Sequence, residues 1–323
     1  MVSGWVTARA LATIANVGPG FDVFCLAIRG PSDAVSIREA DEDSLRVEGV
    51  EASSISSKFT ENTAGIVLNA LRRATGIETP LEVRVNKGLP AGRGLGSSAA
   101  SCAAASLAFL KAYPESSHLG PAGVLQAAVE GEAAVAGRHY DNLAGALLGG
   151  FVSIASSDPL VLAREPVSPR IRFAVVVPEL VLRTADMRRV LPEMVPLKDA
   201  VSNVGKAATL ALALSRGDAA LAGRCLEDRF AEPKRASFLT GYAEARKAAL
   251  DAGATGFAIS GSGSTVFATA ASDKDAEQSA NAMRDAFLAR GVNANAFTTT
   301  VSNSIPLRSL LGNRGPRFSL VTE

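Results

Sequence analysis

The stretch PAGRGLGSSAAS, residues 90–101, combines a glycine-rich turn with the start of a helix. Before it, residues 81–85 (LEVRV) alternate apolar and charged side chains, which predicts a half-buried strand. After it, the run SSAASCAAASLAFLKAY is rich in helix formers and contains no Gly or Pro. The predicted local order is therefore strand, glycine loop and helix.

This loop has the properties of a phosphate-binding site. Gly92, Gly94 and Gly96 allow positive φ and a close approach of the backbone to a ligand. The unpaired N–H groups of the first helical turn point toward the same ligand and favour an anion. Three glycines and two serines exceed what a helix cap alone needs. The pattern predicts an enzyme that uses a nucleotide.

Two other nucleotide-binding patterns are excluded. Gly94, Gly96 and Ala99 fit the dinucleotide pattern G-x-G-x-x-A, which requires an acidic residue about 20 residues further on, at the end of a strand. That residue would be Glu115, which lies in the turn-like segment YPESS. A Walker A loop is excluded because no Gly-Lys-Ser/Thr triplet occurs in the sequence.

Composition limits the class of protein. A chain of 323 residues is long enough for about two domains. A net charge of +1 gives no reason to expect a nucleic-acid partner. Cys25, Cys102 and Cys225 lie in apolar contexts without metal-ligand spacing and read as buried thiols of a reducing compartment. No signal pattern or membrane-length apolar run occurs, so we expect a cytoplasmic protein without a membrane partner.

Periodicity divides the chain into two mixed halves. The first is predicted to contain strands at 2–11, 21–28, 34–40, 44–50, 81–85 and 151–155, and helices at 61–75, 98–113, 120–136 and 141–148. The polar stretch 156–170 is the predicted boundary, giving domains 1–160 and 161–323. The second half is predicted to contain strands at 171–177, 256–260, 265–269 and 294–301, and helices at 185–191, 197–215, 218–229, 238–252 and 273–290. The predicted class is α+β.

Three further segments concentrate glycine or polar residues. GATGFAISGSGSTVFA, residues 253–268, is either a flexible hairpin or a second backbone wall facing the phosphate loop. IANVGPGFD, residues 14–22, places Asn16 and Asp22 around a Gly-Pro-Gly turn that does not itself require them. GRHYDNLAGALLGGF, residues 137–151, places His139, Asp141 and Asn142 at a helix start, where an ordinary N-cap is the alternative.

Glu130 and Glu132 lie on a predicted helix that is otherwise rich in Ala, Val and Leu. A carboxylate among such neighbours is either part of a solvated face or a metal ligand. The pattern alone does not choose between them.

With these segments in view, the chain resembles the GHMP kinase superfamily, and within it the homoserine kinase family. PAGRGLGSSAAS is similar to the central motif, ANVGPGFD to the N-terminal motif, HYDNLAGALLGGF to the middle motif and GFAISGSGSTVFA to the C-terminal glycine motif. The matches occur in the right order across almost the whole chain. The resemblance implies a two-domain GHMP kinase fold, with a ribosomal protein S5 domain 2-like N-terminal domain, a ferredoxin-like C-terminal domain and the active site between them.

The resemblance also implies roles for residues. Those expected along the nucleotide phosphates are Pro90, Ala91, Gly92, Arg93, Gly94, Leu95, Gly96, Ser97, Ser98, Ala99 and Ala100, with Asn62 and Lys87 as further nucleotide contacts. Ser98 and Glu130 match the positions that hold Mg²⁺, which favours Glu130 as a ligand over a solvated side chain. The expected homoserine pocket consists of Asn16, Asp22, His139, Asn142, Thr184, Arg188 and Arg235. The charged residues of this pocket suit a zwitterion, because an ammonium group needs an acidic partner and a carboxylate needs a guanidinium partner.

The activity implied by the resemblance is ATP-dependent phosphorylation of the L-homoserine hydroxyl, a step of threonine biosynthesis, with ATP and Mg²⁺ as cofactors. Asn142, Ser98 and Glu130 are the expected catalytic residues, and the family's pattern lacks a dedicated strong base, so electrostatic neutralisation should dominate. The expected partners are L-homoserine and ATP, with a homodimer as the candidate assembly. The alternatives are another GHMP kinase, acting on mevalonate or a sugar alcohol, and a non-catalytic regulatory protein on this fold.

Overall fold

The computed structural model describes residues 4–308 and 317–321 of the chain. Seven strands form the first sheet, in the order β11-β6-β5-β2-β4-β3, with β1 paired to β2. Of these pairs only β3 and β4 run parallel. The strands are β1 (Val6–Ala15), β2 (Phe24–Glu39), β3 (Ser44–Gly49), β4 (Leu81–Lys87), β5 (Phe151–Ser157), β6 (Leu160–Glu165) and β11 (Phe318–Val321). The helices of this half are α1 (Thr63–Thr75), α2 (Ser97–Ala112), α3 (Gly120–Ala133) and α4 (Asp141–Leu148).

The second sheet has four antiparallel strands in the order β10-β7-β9-β8. They are β7 (Arg172–Pro178), β8 (Gly256–Ile259), β9 (Val266–Ala270) and β10 (Ala294–Thr299). The helices of this half are α5 (Thr184–Arg189), α6 (Leu197–Arg216), α7 (Ala219–Arg224), α8 (Glu232–Arg235), α9 (Tyr242–Asp251) and α10 (Asp273–Ala289). The α+β class predicted from the sequence is confirmed.

Helix α2 lies at the centre of the first half. Its residues from Ala99 to Phe109 are all buried, because a helix apolar on every side can only be satisfied inside a core. Alanine and serine side chains let α1, α3, α4 and the strands β1 and β2 pack closely around it. This packing fixes the direction of the helix and therefore the place to which its N-terminus points.

The two halves share one apolar core. Phe173 of β7, Leu214 of α6 and Phe267 of β9 belong to the same buried cluster as Ile14 of β1 and Leu26 of β2. A smaller cluster lies around α9 and α10. Because the main core crosses from one sheet to the other, the two halves are held in a fixed relation at the cleft between them.

Some boundaries differ from the predictions. The strands predicted at 21–28 and 34–40 are one strand, β2, which continues through Gly30 and Pro31, where the pairing register with β1 shifts. The polar stretch 156–170 contains β6, which pairs with β5. The change of sheet therefore falls between Glu165 and Arg172, while the division into domains 1–160 and 161–323 stays a prediction. Residues 2 and 3 of the first predicted strand lie outside the described residues.

Two predictions about composition can be compared with the fold. Cys25, Cys102 and Cys225 are buried free thiols, as expected. Within residues 4–308 and 317–321, no helix is long and apolar enough to cross a bilayer.

Candidate active site

The cleft between the two halves holds a cavity of about 380 Å³. All four sequence segments singled out above contribute to its lining, together with α3 and α5. The predicted site residues that line it are Asn16, Asp22, Asn62, Lys87, Ala91, Gly92, Arg93, Gly94, Gly96, Ser97, Ser98, His139, Asn142, Thr184, Arg188 and Arg235. Pro90, Leu95, Ala99 and Ala100 belong to the same loop and helix but do not line the cavity.

The glycines of the phosphate loop are required by its geometry. Gly92, Gly94 and Gly96 all have positive φ, between 64° and 78°. A Cβ on Gly94 would lie 2.3 Å from the carbonyl oxygen of Ser260, and one on Gly96 would lie 2.0 Å from Thr13 Oγ1. The backbone at Gly94 and Gly96 therefore lies too close to neighbouring atoms for a larger residue to fit. Helix α2 begins directly after this loop, with Gly96 as its N-cap.

The carbonyl groups of residues 92–96 in this loop all accept hydrogen bonds from other groups of the protein. The oxygens of Gly92, Arg93 and Gly94 accept hydrogen bonds from Leu182 N, Thr265 N and Ser260 Oγ in the second half of the chain. Those of Leu95 and Gly96 accept from Thr13 N and Ala100 N. Tying the carbonyls in this way leaves N–H groups as the polar backbone atoms available to a ligand, which is the arrangement that binds phosphate.

Lys87 lines the cavity, but its ammonium is fully used by the protein. It forms an ion pair with Asp33 and donates to the Ser97 carbonyl at 3.0 Å and to Ser101 Oγ at 2.8 Å. Asp33 also accepts from the backbone N–H groups of Gly88 and Leu89. The three ammonium protons have three partners, so Lys87 positions the start of α2 and the entry of the loop rather than donating to a ligand.

Asn62 has a similar structural role. Its side chain accepts from Ala64 N at 3.0 Å, which caps α1, and donates to the Ser56 carbonyl at 2.8 Å. Glu51 holds the beginning of the phosphate loop by accepting from Ala91 N at 3.0 Å and from the Arg93 guanidinium at 2.7 Å. These contacts shape the wall of the cavity near the loop.

The structure corrects the position of the acidic residue expected to bind metal. Glu130 points away from the cavity, where its carboxylate pairs with Arg73 at the surface at 2.5 Å, and its side chain is 41% exposed. Glu132, two residues further along α3, lines the cavity and is 5% exposed. The physical reason is helix geometry, because residues two apart lie on nearly opposite faces of a helix. Glu130, which the resemblance implies as a catalytic residue and Mg²⁺ ligand, therefore does not line the cavity, whereas Glu132 does.

The environment of Glu132 suits a cation. Ser98 Oγ donates to Glu132 Oε1 at 3.0 Å, while Glu132 Oε2 is buried with no hydrogen-bond partner. Burial raises the pKa of this carboxyl to about 7. Among the described residues, no group of three or more His, Cys, Asp or Glu side chains is arranged to hold a metal ion. A single carboxylate with a hydroxyl is nevertheless the donor set expected for Mg²⁺ that is held mainly by nucleotide phosphates and water.

Opposite charges converge at the other end of the cavity. Arg188 donates two hydrogen bonds to Asp22, Nη1 to Oδ2 at 2.9 Å and Nη2 to Oδ1 at 2.8 Å. Arg235 donates to the Gly261 carbonyl at 2.8 Å, and both guanidinium groups lie within 6 Å of the Phe21 ring centre, at 5.7 and 5.3 Å. Burial, and after it the charge of Arg188, lowers the pKa of Arg235. The buried Arg235 and the partly buried Arg188 are neighbouring cations, which favours an incoming anion here.

The remaining predicted pocket residues surround this charge cluster. Asn16, at φ 66°, accepts from Asp22 N at 3.1 Å and donates to the Gly261 carbonyl at 3.1 Å, so it joins the first and last motifs. His139 Nδ1 lies 3.9 Å from Asp22, and burial is the main cause that lowers its pKa. Thr184 Oγ1 lies 3.4 Å from Ser262 Oγ. The neutral imidazole and the hydroxyls can therefore serve as hydrogen-bond partners beside the charged groups.

Asn142 and Asp141 lie between the two ends. Asn142 Oδ1 accepts from Thr13 Oγ1 at 2.7 Å, which leaves its amide N–H groups as donors. Asp141 is buried, and burial followed by the charge of Asp22 raises its pKa to about 6. Helix α4 has Tyr140 as its N-cap and no side-chain cap. The N-cap alternative for Asp141 and Asn142 is therefore wrong, and both residues line the cavity.

Several residues of the site were not selected from the sequence. For Glu132 and Asp141 the sequence offers one signal, their acidic character in apolar surroundings. Asp33 and Glu51 gave no local signal, because their partners are more than 35 residues away along the chain. Arg183 and Ser262 adjoin predicted residues and also line the cavity.

Comparison with known proteins gives a consistent result. The family model described as GHMP kinases N terminal domain matches residues 62–150, and that described as GHMP kinases C terminal matches residues 210–289. The homoserine kinase of Natronomonas pharaonis is 41% identical over 94% of this chain and 99% of that protein. That of Halobacterium salinarum is 41% identical over 92% of this chain and 95% of that protein. The crystal structure of homoserine kinase from Cytophaga hutchinsonii superimposes with a TM-score of 0.87 at 34% identity, covering 93% of this chain and 96% of that one.

Proposed function

Because the chain belongs to the GHMP kinase family, we propose that it transfers the γ-phosphoryl group of ATP to the side-chain hydroxyl of L-homoserine, giving O-phospho-L-homoserine and ADP. The observation that carries this assignment is the cluster of Asp22, Arg188 and Arg235 in the same cavity as the phosphate loop. A substrate with one carboxylate and one ammonium matches such a cluster, whereas mevalonate has no ammonium for Asp22.

The nucleotide end binds ATP through the backbone. Gly92, Gly94, Gly96, Ser97 and Ser98 line the cavity, while the carbonyls of residues 92–96 are bound elsewhere, so we propose that the N–H groups of this stretch bind the phosphates. The dipole of α2 adds a partial positive charge at the same place. Because these donors are fixed before ATP binds, they require little reorganisation when negative charge moves from the γ-phosphoryl group to the leaving ADP.

Ser98 and Glu132 are the residues that we propose for Mg²⁺. The unpartnered Glu132 Oε2 and the Ser98 hydroxyl provide oxygen donors next to the phosphate loop. When bound there, Mg²⁺ neutralises charge on the β- and γ-phosphates. In the free protein the Ser98–Glu132 hydrogen bond keeps the carboxylate turned toward this position.

The amino-acid end orients the acceptor hydroxyl. We propose that the carboxylate of homoserine binds Arg188 and Arg235, and that its ammonium binds Asp22, so that the side chain extends toward Asn142. The amide N–H groups of Asn142, oriented by Thr13, then position the hydroxyl oxygen. The oxygen forms the new bond to phosphorus as the bond to ADP breaks, and a phosphoryl oxygen can accept the hydroxyl proton. Positioning and charge stabilisation therefore account for the reaction without a dedicated base.

The test separates substrate recognition from nucleotide binding. Replacing Arg188 by alanine removes charge-assisted hydrogen bonds worth roughly 1.5–3 kcal/mol each, so KM for homoserine should rise about ten- to a hundred-fold while KM for ATP changes little. Arg189→Ala is the matched control, because Arg189 is on the same helix, is exposed and pairs with Asp186. ADP release is measured with homoserine, homoserine amide, 4-hydroxybutyrate and mevalonate.

Three results would overturn the assignment. A preference of the wild-type protein for mevalonate or 4-hydroxybutyrate would show that the cluster of Asp22, Arg188 and Arg235 does not select a zwitterionic substrate. Equal homoserine kinetics in Arg188→Ala and Arg189→Ala would show that Arg188 does not contact the substrate. Absence of ADP release with every alcohol would favour the regulatory alternative.

A further inference from the structure

Residues 259–261, at the end of strand β8, contact both ends of the cavity. Ser260 Oγ donates to the Gly94 carbonyl of the phosphate loop at 2.5 Å. The Gly261 carbonyl accepts from Arg235 Nη1 at 2.8 Å, at the amino-acid end. The place at which this short segment is held therefore matters for the binding of both substrates.

Strand β8 needs a hydrogen-bond partner from outside its sheet at this point. It is at the edge of the second sheet, and its pairing with β9 places Ile259 opposite Val266. A strand at an edge has a row of backbone polar groups without a neighbouring strand. The Ile259 N–H group donates to Glu232 Oε2 at 3.1 Å. Glu232 thus holds the backbone one residue before Ser260.

Glu232 lies on the same short helix, α8, as Arg235. Residues three apart share one face of a helix, and both side chains contact the segment 259–261, Glu232 at Ile259 N and Arg235 at the Gly261 carbonyl. Arg235 Nε also donates to the Met187 carbonyl of α5 at 3.4 Å. The position of the guanidinium therefore depends on where α8 is held against β8.

The hydroxyl group of Tyr242 orients the carboxyl group of Glu232. Tyr242 Oη donates to Glu232 Oε1 at 2.5 Å, and its ring packs edge-on against Phe257 of β8, with the ring centres 5.4 Å apart. The carboxylate of Asp228 accepts from Glu232 N at 2.7 Å, which fixes the backbone at the start of α8. Each carboxyl oxygen of Glu232 thus has a donor, and the side chain is held from both sides.

We propose that Glu232, oriented by Tyr242, is a positioning residue for homoserine binding. It holds α8 against the end of β8, so that the guanidinium of Arg235 lies where the substrate carboxylate binds. Glu232 and Tyr242 do not line the cavity, so they act through Arg235 and not by touching the substrate. This inference rests on the proposed function, in which Arg235 binds the carboxylate of homoserine.

The expected effect is selective for one substrate. Ser260 is also held by its own backbone, because Ser260 N donates to the Thr265 carbonyl at 2.9 Å. Loss of Glu232 should therefore displace Arg235 more than the phosphate loop. Glu232→Ala should raise KM for homoserine about tenfold, the lower end of the effect expected for outright loss of a guanidinium, because Arg235 is still present. KM for ATP and kcat should stay within about twofold, since the change affects substrate binding.

Two conservative variants test how Glu232 acts. Glutamine offers one acceptor for Ile259 N–H and a donor for Tyr242 Oη, so Glu232→Gln should keep KM for homoserine within about twofold. Burial raises the pKa of Glu232 to about 7, and glutamine resembles the neutral form of this side chain. Tyr242→Phe keeps the ring and removes the hydroxyl, so it should raise KM about threefold. Added to Glu232→Ala it should have no further effect, because the hydroxyl acts through Glu232.

Glu244→Ala and Tyr113→Phe are the matched controls. Glu244 is on α9 and pairs with Arg290 at 3.5 Å. Tyr113 Oη donates to Glu39 at 3.3 Å, in the first half of the chain. Both variants should keep the wild-type KM for homoserine. ADP release with each substrate varied gives the constants, and circular dichroism establishes that each variant is folded.

The outcomes separate this inference from the proposed function. Wild-type turnover of homoserine together with an unchanged KM in Glu232→Ala would overturn the inference alone, as would an equal rise of KM for ATP or a Glu232→Gln variant as impaired as Glu232→Ala. Additive effects of Glu232→Ala and Tyr242→Phe would contradict the role of the hydroxyl. If Glu232→Ala does not fold, an unchanged KM in Tyr242→Phe overturns the inference. Absence of wild-type turnover would overturn the proposed function and this inference with it.

Discussion

Replacing Glu132 by glutamine should abolish most of the kinase activity and at the same time stabilise the protein at alkaline pH. The substitution keeps the size of the side chain and its ability to accept the hydrogen bond from Ser98, and removes only the charge. Glu130→Gln is the natural control, because Glu130 is two residues away on the same helix but exposed and paired with Arg73. An exposed ion pair of that kind contributes about 0–1 kcal/mol.

The activity loss follows from the proposed role of the carboxylate. A group that helps to hold a bridging cation contributes several kcal/mol to the transition state, so kcat/KM for Glu132→Gln should fall by about 10²–10³-fold. Glu130→Gln should retain activity within about twofold, which is the range expected from loss of a surface ion pair. ADP release at saturating homoserine, with Mg²⁺ varied, is the measurement.

The stability gain follows from burial. Burial raises the pKa of Glu132 from 4.5 to about 7, so the folded chain binds this proton more tightly than the unfolded chain. The free energy of unfolding therefore falls as pH rises between these two values, and near pH 8 the ionised carboxylate costs up to roughly 3 kcal/mol. Glutamine carries no such cost. Without nucleotide or metal, Glu132→Gln should be more stable than wild type at about pH 8, and the difference should disappear below about pH 4.5.

Urea denaturation of the wild-type protein and of Glu132→Gln, at acidic and at alkaline pH, tests the predicted gain in stability. A stability difference that does not depend on pH would show that Glu132 is not ionised at a buried site. Equal activity of Glu130→Gln and Glu132→Gln would show that neither carboxylate holds the metal, whatever their stabilities.

Two other substitutions test the supports of the phosphate loop. Gly96→Ala should abolish ATP binding measured by calorimetry, because its Cβ would meet neighbouring side chains at 2.0 and 2.8 Å, whereas Gly76→Ala, with a similar positive φ but no atom within 4 Å, should leave ATP binding intact. Lys87→Met should lower the free energy of unfolding by about 3–5 kcal/mol, because it leaves Asp33 buried without its cation. Lys58→Met, at an exposed ion pair, should change stability by less than about 1 kcal/mol, and equal effects of the two lysine variants would contradict this explanation.

The phosphate loop could be predicted from sequence because its signals are local. Glycines at 92, 94 and 96, followed by a run of helix formers, encode a turn and a helix start within a dozen residues. The α+β class was predictable for the same reason, since periodicity identifies most helices and strands. Strand β6 was not predicted, because its short sequence, LVLARE, begins directly after a polar turn. It is stabilised by pairing with β5 on one side and β11 on the other.

The choice between Glu130 and Glu132 could not be made from the sequence. Helix α3 is apolar on nearly every face, so periodicity does not indicate which carboxylate points into the protein. Only the packing of α3 against α1 and α2 determines the direction. The ion pair of Lys87 could not be predicted for a related reason, because its buried partner Asp33 lies 54 residues earlier in the chain. An electrostatic partner that is distant along the chain does not change the local sequence pattern.

The hydrogen bonds from the loop carbonyls have a consequence for how the two halves of the chain depend on each other. Gly92, Arg93 and Gly94 belong to the first half, but their carbonyl oxygens are held by Leu182, Thr265 and Ser260 of the second. Each of these peptide groups is thus held at its carbonyl end by the neighbouring half, which fixes the direction of its N–H group. A first half expressed alone would keep the loop sequence but lose the orientation of its amides. Nucleotide affinity is therefore a property of the assembled pair of halves, and bound phosphate in turn resists their separation.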